Sequence, residues 1–216
     1  MPVKTIVSIW PLFAGLSLIG LAVGVQGSLL GVRAELEGFD DYLIGLLMSC
    51  YFAGFLAGSL LTPKMIQRVG HIRIFAALSA VASVTILIHS IYVNPWAWAL
   101  MRLLTGFAFS TIYVVSESWL NQASNNTNRG QVLSIYTAIL LAGICAGQFM
   151  LNVANPREFT LFILISVMVS VAAVPILLSV VTTPAITETE RVTIRHLWYR
   201  TPMGVTGIVL SQWVSS

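Results

Sequence analysis

"PKMIQRVGHIRIF", residues 63–75, is a basic stretch set between two apolar runs. Lys64, Arg68 and Arg73 supply the charge. Residues 42–61 lead into it and residues 72–93 lead out of it. Each run is close to the ~20 apolar residues that an α-helix needs to cross a hydrocarbon core. Two such helices joined by a short positive turn are the unit of a multi-pass membrane protein.

The rest of the chain extends that unit. Of its 216 residues, 57% are apolar and 9% are charged, whereas soluble domains carry roughly 25% charged residues. So few charges cannot clothe a water-facing surface. Further apolar runs cover residues 6–31, 96–119, 131–153 and 158–181. The first is too long for the apolar region of a signal peptide and is expected to be a retained span. Thr62-Pro63 is expected to stop the second span, and Asn94-Pro95 the third. A polar connector follows at 182–200, and a seventh apolar stretch, shorter than a span, occupies 201–216. The predicted organisation is therefore an all-α bundle of six transmembrane helices over 1–181, a cytoplasmic connector, and the truncated start of a seventh helix. The chain is expected to be part of something longer.

Basic residues set the predicted orientation. With the N-terminus in the cytoplasm, the inner segments hold Lys4, Lys64, Arg68, Arg73, Arg129, Arg191, Arg195 and Arg200. The outer loops hold only Arg33 and Arg157. That bias fits the positive-inside rule and a multi-pass plasma or inner membrane protein. It also accounts for the pI near 9.1, so no nucleic-acid partner is expected. Outside, Glu35, Glu37, Asp40 and Asp41 read as a solvated loop, with a cation-attracting mouth as the alternative. Cys50 and Cys145 fall in apolar runs without metal-ligand spacing, and no metal or cofactor is expected.

Glycine placement divides the spans. The first carries Gly15, Gly20, Gly24, Gly27 and Gly31, the second Gly45, Gly54 and Gly58, and the fifth Gly143 and Gly147. The third and sixth carry none. Small residues four apart let helix backbones approach closely. Spans two and five match, as do three and six, which predicts a 3+3 inverted repeat of the kind found in secondary transporters. In that layout the glycine-free spans brace the outside.

Three stretches then carry a resemblance. Arg68, Gly70 and Arg73 fit the Arg-x-Gly-x-x-Arg loop core of the major facilitator superfamily. Arg102 and Gly106, in "ALMRLLTGFAFS" (99–110), are similar to its fourth-helix pattern. The fifth-helix pattern is partial: Gly143 and Gly147 are present, but no proline follows. The set "GVRAELEGF", "RVGHIRIF", "ESWLN" and "NRGQVLSIY" resembles the YcaD-like branch of that superfamily. The resemblance implies a secondary active transporter of a small solute, with a cavity between two six-helix halves of which this chain is the N-terminal one. The partners it implies are a small-molecule substrate, the lipid bilayer and the C-terminal half, with proton coupling open. Pro63 stands where the family usually has glycine, and Gln67 where it usually has an aspartate that helps lock the inner gate.

Polar groups inside spans are costly and point to function. Arg102, Gly106, Phe109, Tyr113, Ser116 and Glu117 fall within one broad face at 100° per residue. Position alone leaves Arg102 either snorkelling to the outer interface or facing the cavity, and the resemblance favours the cavity. Gln26, a buried amide in the first span, could bind substrate or tie helices together. Tyr51, Tyr136 and Gln148 are weaker candidates of the same kind. His89 reads as an interfacial histidine, with a proton relay as the minor alternative. Glu117 could simply end the fourth helix among the headgroups, with Trp119 as an aromatic-belt anchor. Alternatively, because Gln67 leaves Arg68 and Arg73 without their usual acid, Glu117 could latch to one of them or to Arg129.

Other classes fit less well. No Gly-x-Ser-Gly-like nucleophile, no His-Glu-x-x-His helix and no Gly-x-x-x-x-Gly-Lys-Ser/Thr phosphate loop is present, so no enzyme is expected. A non-transporting scaffold or sensor remains as the alternative. The orientation is testable in a background with Cys50 and Cys145 replaced. Glu37→Cys should react with an impermeant maleimide in intact cells, and Asn126→Cys only after the cytoplasmic face is opened. The reverse pattern overturns the assignment.

Overall fold

A computed structural model of the chain describes residues 2–178, with side chains described from residue 9 onward. The connector at 182–200, the seventh apolar stretch, Arg191, Arg195, Arg200 and the side chain of Lys4 lie outside the described residues. Seven helices follow in order: α1 (Pro2–Leu36), α2 (Asp41–Val69), α3 (His71–Ile91), α4 (Pro95–Ala123), α5 (Arg129–Met150), α6 (Thr160–Ala172) and α7 (Val174–Leu178). Six segments are long and apolar enough to cross a membrane, the last running from Thr160 to Leu178 across α6 and α7.

Local chemistry explains the helix ends. The Asp40 carboxylate accepts the Leu43 N–H at 2.7 Å and so starts α2. Part of the acidic cluster is thus a helix cap rather than loop. Asn94 caps α4 in the same way, accepting from Trp96 and Ala97, with Pro95 in the first turn. The expected stop at Thr62-Pro63 is corrected: α2 runs through Pro63 to Val69. Pro63 leaves the Ser59 carbonyl without its usual N–H partner, and the helix continues past that one missing bond. Thr62 donates to the Gly58 carbonyl at 2.6 Å, and its Oγ1 lies 3.0 Å from the Thr111 hydroxyl of α4. The helix stops instead at Gly70, whose φ of 88° lies in the left-handed region that glycine adopts freely. That one residue is the whole connection between α2 and α3.

Other ends move for similar reasons. α1 continues past the expected end to Leu36, and Arg33 lies in its last turn rather than in a loop. There Arg33 pairs with Glu37 at 2.6 Å and donates to the carbonyls of Pro156 and Arg157. The sixth span is interrupted at Ala173, two residues before Pro175, whose missing N–H breaks the hydrogen-bond ladder.

Two helix pairs run side by side in the same direction, α2 with α4 and α1 with α5, and they make the most extensive contacts. Glycine sets their separation. A Cβ added at Gly58 would lie 2.6 Å from the Phe107 carbonyl oxygen, and one at Gly54 or Gly106 would overlap the facing backbone. On the other seam, a Cβ at Gly20 would lie 2.9 Å from the Leu140 oxygen, and one at Gly24 or Gly147 would overlap the partner helix. Gly143 faces Gly20 in the same contact.

The glycine-free helices meet through hydroxyls instead. Ser83 of α3 bonds Ser166 and Ser170 of α6 at 2.7 and 2.8 Å, and Thr85 bonds Thr105 of α4 at 2.9 Å. Buried residues make up 17% of the most apolar window of α2 and of α5, against 50–61% for the other four spans. The most uncovered helices of the bundle are therefore α2 and α5, rather than α3 and α6.

The seam makes a quantitative prediction. Gly106→Val should lower stability by about 1–3 kcal/mol through overpacking. Gly45→Ala, where nothing lies within 4 Å of the added carbon, should leave it unchanged or slightly raised. Denaturant titration of the two variants in detergent micelles reads the difference.

Candidate functional site

Close approach of α2 and α4 brings two side chains face to face. Arg102 sits one turn before Gly106, and Tyr51 precedes Gly54 on the facing helix. The guanidinium carbon of Arg102 consequently lies 4.5 Å from the centre of the Tyr51 ring. This is a cation–π contact, strongest where water is excluded. Arg102 Nη2 also meets Met48 Sδ at 3.3 Å. The residue is 5% exposed, and no carboxylate among the described residues lies within ion-pair distance of it. Its position inside the bundle replaces the snorkelling alternative.

From α1, Gln26 completes the arrangement at 2% exposure. Its Nε2 has no hydrogen-bond partner among the described residues, and neither has Arg102 Nε. Gln26, Met48, Tyr51, Phe52, Arg102 and Phe109 line a cavity of about 290 Å³ between α1, α2 and α4. Three of the expected site residues, Gln26, Tyr51 and Arg102, therefore share one space.

The remaining candidates lie elsewhere. Tyr113 packs against Phe55 of α2, ring centres 6.2 Å apart. Gln148 is a tie between α5 and α1: it donates to the Gly24 carbonyl at 3.0 Å and accepts from Ser28 at 2.6 Å. Tyr136 donates to Glu117 Oε1 at 3.2 Å, joining α5 to α4. The single face expected on α4 thus divides: Arg102 and Phe109 line the cavity, Gly106 and Tyr113 meet α2, and Glu117 meets α5. Ser116 turns back to the Ile112 carbonyl at 2.7 Å.

At the α2–α3 turn, the expected latch between Glu117 and an arginine is not formed. The ion pair among the described residues joins Arg33 to Glu37, at the other end of the bundle. Gln67, Arg68 and Arg73 are exposed, and Arg129 Nε donates to Asn121 at 2.6 Å. Instead, His71 holds this corner: its Nε2 lies 3.1 Å from Ser118 Oγ, and its ring packs on Trp119. Trp119, expected as a surface anchor, is 3% exposed. His89 is likewise corrected from interfacial to buried, with Nδ1 2.7 Å from the Thr85 carbonyl and its ring edge-on to Trp98.

Met48 and Phe52 were not among the expected site residues. Met48 stands three residues before Tyr51 and so shares its helix face, a signal available in the sequence. Phe52 carried none beyond its neighbours.

Comparison with known proteins agrees with this architecture. A family model described as Major Facilitator Superfamily matches residues 12–214. An uncharacterized MFS-type transporter of Enterobacter sp. (strain 638) is 30% identical over 77% of this chain and 44% of its own length. A protein described in the same words from Yersinia enterocolitica is 29% identical, and the uncharacterized MFS-type transporter YcaD of Escherichia fergusonii 28%, each over the same shares. The chain thus spans less than half the length of these relatives.

Interhelical polar ties in membranes contribute about 0.6 kcal/mol on average. Gln148→Leu, which removes two, should cost about 1 kcal/mol, and Tyr136→Phe about half that. Unfolding of each variant in mixed micelles checks the ratio.

Proposed function

The chain belongs to the major facilitator superfamily, and from that premise we propose that it supplies the first of two helix bundles of a secondary transporter working by alternating access. Its fold is a helical membrane bundle, and its family and relatives are transporters. The observation that carries the proposal is the cavity where Arg102, Gln26 and Tyr51 converge with a buried cation unpaired by acid. A buried ionisable group in a membrane span is costly and marks a working site by default.

The helix contacts support the inverted repeat. Exchanging α1, α2 and α3 for α4, α5 and α6 turns the α2–α4 pair into α5–α1 and the α3–α4 pair into α6–α1, all of which are in contact. The uncovered faces of α2 and α5 are then where a second bundle would meet this one, and the relatives' greater length supports its existence. In this reading the N-terminus and the connector at 182–200 are cytoplasmic, residues 201–216 begin the seventh helix, and the host is the plasma or inner membrane. The exposed residues Gln67, Arg68, Arg73 and Arg129, with Gly70 at the turn between them, mark the inner gate. Glu117, on the same side, is held by Tyr136 of α5 rather than by an arginine.

Reconstitution of the whole protein into vesicles, with a panel of small solutes under an imposed pH gradient, tests this. Wild-type vesicles should accumulate a solute, and Arg102→Gln should lower its uptake about tenfold or more, the usual worth of a lost charged hydrogen bond. Uptake unaffected by that substitution would overturn the role of Arg102.

A further inference from the structure

We propose that the cavity takes a small organic monoanion, a carboxylate on a compact apolar body. This rests on the transporter reading above and assigns the substrate class of that same site.

Charge comes first. Among the described residues, one guanidinium lines the cavity and no Asp or Glu does. The described carboxylates stand apart from it: Glu35, Glu37, Asp40, Asp41 and Glu158 lie at or beyond helix ends. Glu117 is about 22 Å further along α4 at 1.5 Å per residue. The electrostatic deficit is a single negative charge, which a cation deepens and a neutral solute leaves in place.

Hydrogen bonding points the same way. The two orphaned polar atoms here, Arg102 Nε and Gln26 Nε2, are both donors. An arginine has no acceptor to offer, and its fork matches the two oxygens of a carboxylate. Tyr51 covers one face of the guanidinium and Met48 takes Nη2, so part of the donating edge remains for an in-plane partner. Both orphaned atoms are enclosed, so an acceptor-bearing solute in the cavity reaches them only as the two side chains shift toward it.

Shape sets the rest. The walls beyond the polar residues are Phe52, Phe109 and Met48, which suit an apolar body. At about 290 Å³ the space sits at the small end of ligand pockets, which run from ~300 to 1,000 Å³. With no second cation on the wall among the described residues, a dianion such as a phosphate ester would leave one charge unmatched.

The test uses the whole protein in lipid nanodiscs and equilibrium dialysis with radiolabelled butyrate and benzoate, set against benzamide and benzylammonium. At least one of the two anions should bind, benzamide and benzylammonium about tenfold or more weakly. Arg102→Lys should keep the order at reduced affinity, Arg102→Gln should erase it, and Gln26→Leu should weaken the anion several-fold. Should Arg102→Gln fail to fold, the ligand order on the wild type and Gln26→Leu decide alone. Equal binding of benzamide, or failure of both anions to bind, overturns the anion assignment. So does benzoate affinity unchanged in Arg102→Gln, the result expected if an acid from a second bundle neutralised Arg102. If neutral solutes are still taken up by the reconstituted vesicles in those cases, the transporter reading stands without the anion. If no solute is taken up, the transporter reading fails as well.

Discussion

Backbone-to-backbone contact between parallel helices is the constraint on which the bundle rests. In a bilayer, apolar side chains gain nothing from meeting each other rather than lipid. Association must come from close packing and polar ties, and glycine permits the closest packing. At Gly54, Gly106, Gly24 and Gly147 the partner backbone occupies the place where a side chain would stand. Shifting either seam by the width of a methyl group would carry Tyr51 away from Arg102, or Gln148 away from the Gly24 carbonyl. The polar geometry is thus a consequence of where side chains are missing.

The same seam explains how an arginine survives in the interior. Burial of an ionic group is normally matched by an opposite charge. Arg102 is accommodated by softer partners, the face of an aromatic ring and a thioether. These moderate the cost while leaving part of its donating edge unmatched. A carboxylate partner would have neutralised the site and removed its attraction for a ligand. Absence of an acid among the described neighbours is what keeps the cavity chemically demanding.

Membrane class and span number were legible in the sequence because they rest on length and composition alone. So were the seams, whose small residues recur every four positions. Helix ends were less legible. Pro63 read as a stop, yet the helix runs through it at the loss of the one N–H that the Ser59 carbonyl would receive. Pro175, which carried no such signal in a continuous apolar run, interrupts the last span. In the site, Gln26, Tyr51 and Arg102 were found because polar groups are rare in spans. Their mutual placement was not, since it depends on which helices pair. Trp119 and His89 were misread for one reason: nearness to a helix end suggested the surface, whereas neighbouring helices cover both.

Gly70 has a mechanical consequence. With one residue between them, α2 and α3 form a crank rather than two hinged rods. Any tilt of α2 must either be absorbed at the backbone angles of that glycine or be passed to the first turn of α3, where His71 is clipped to Ser118. Leverage applied to one of the two most uncovered helices of the bundle is thereby delivered to its interior, at the far end of the helix that carries Arg102.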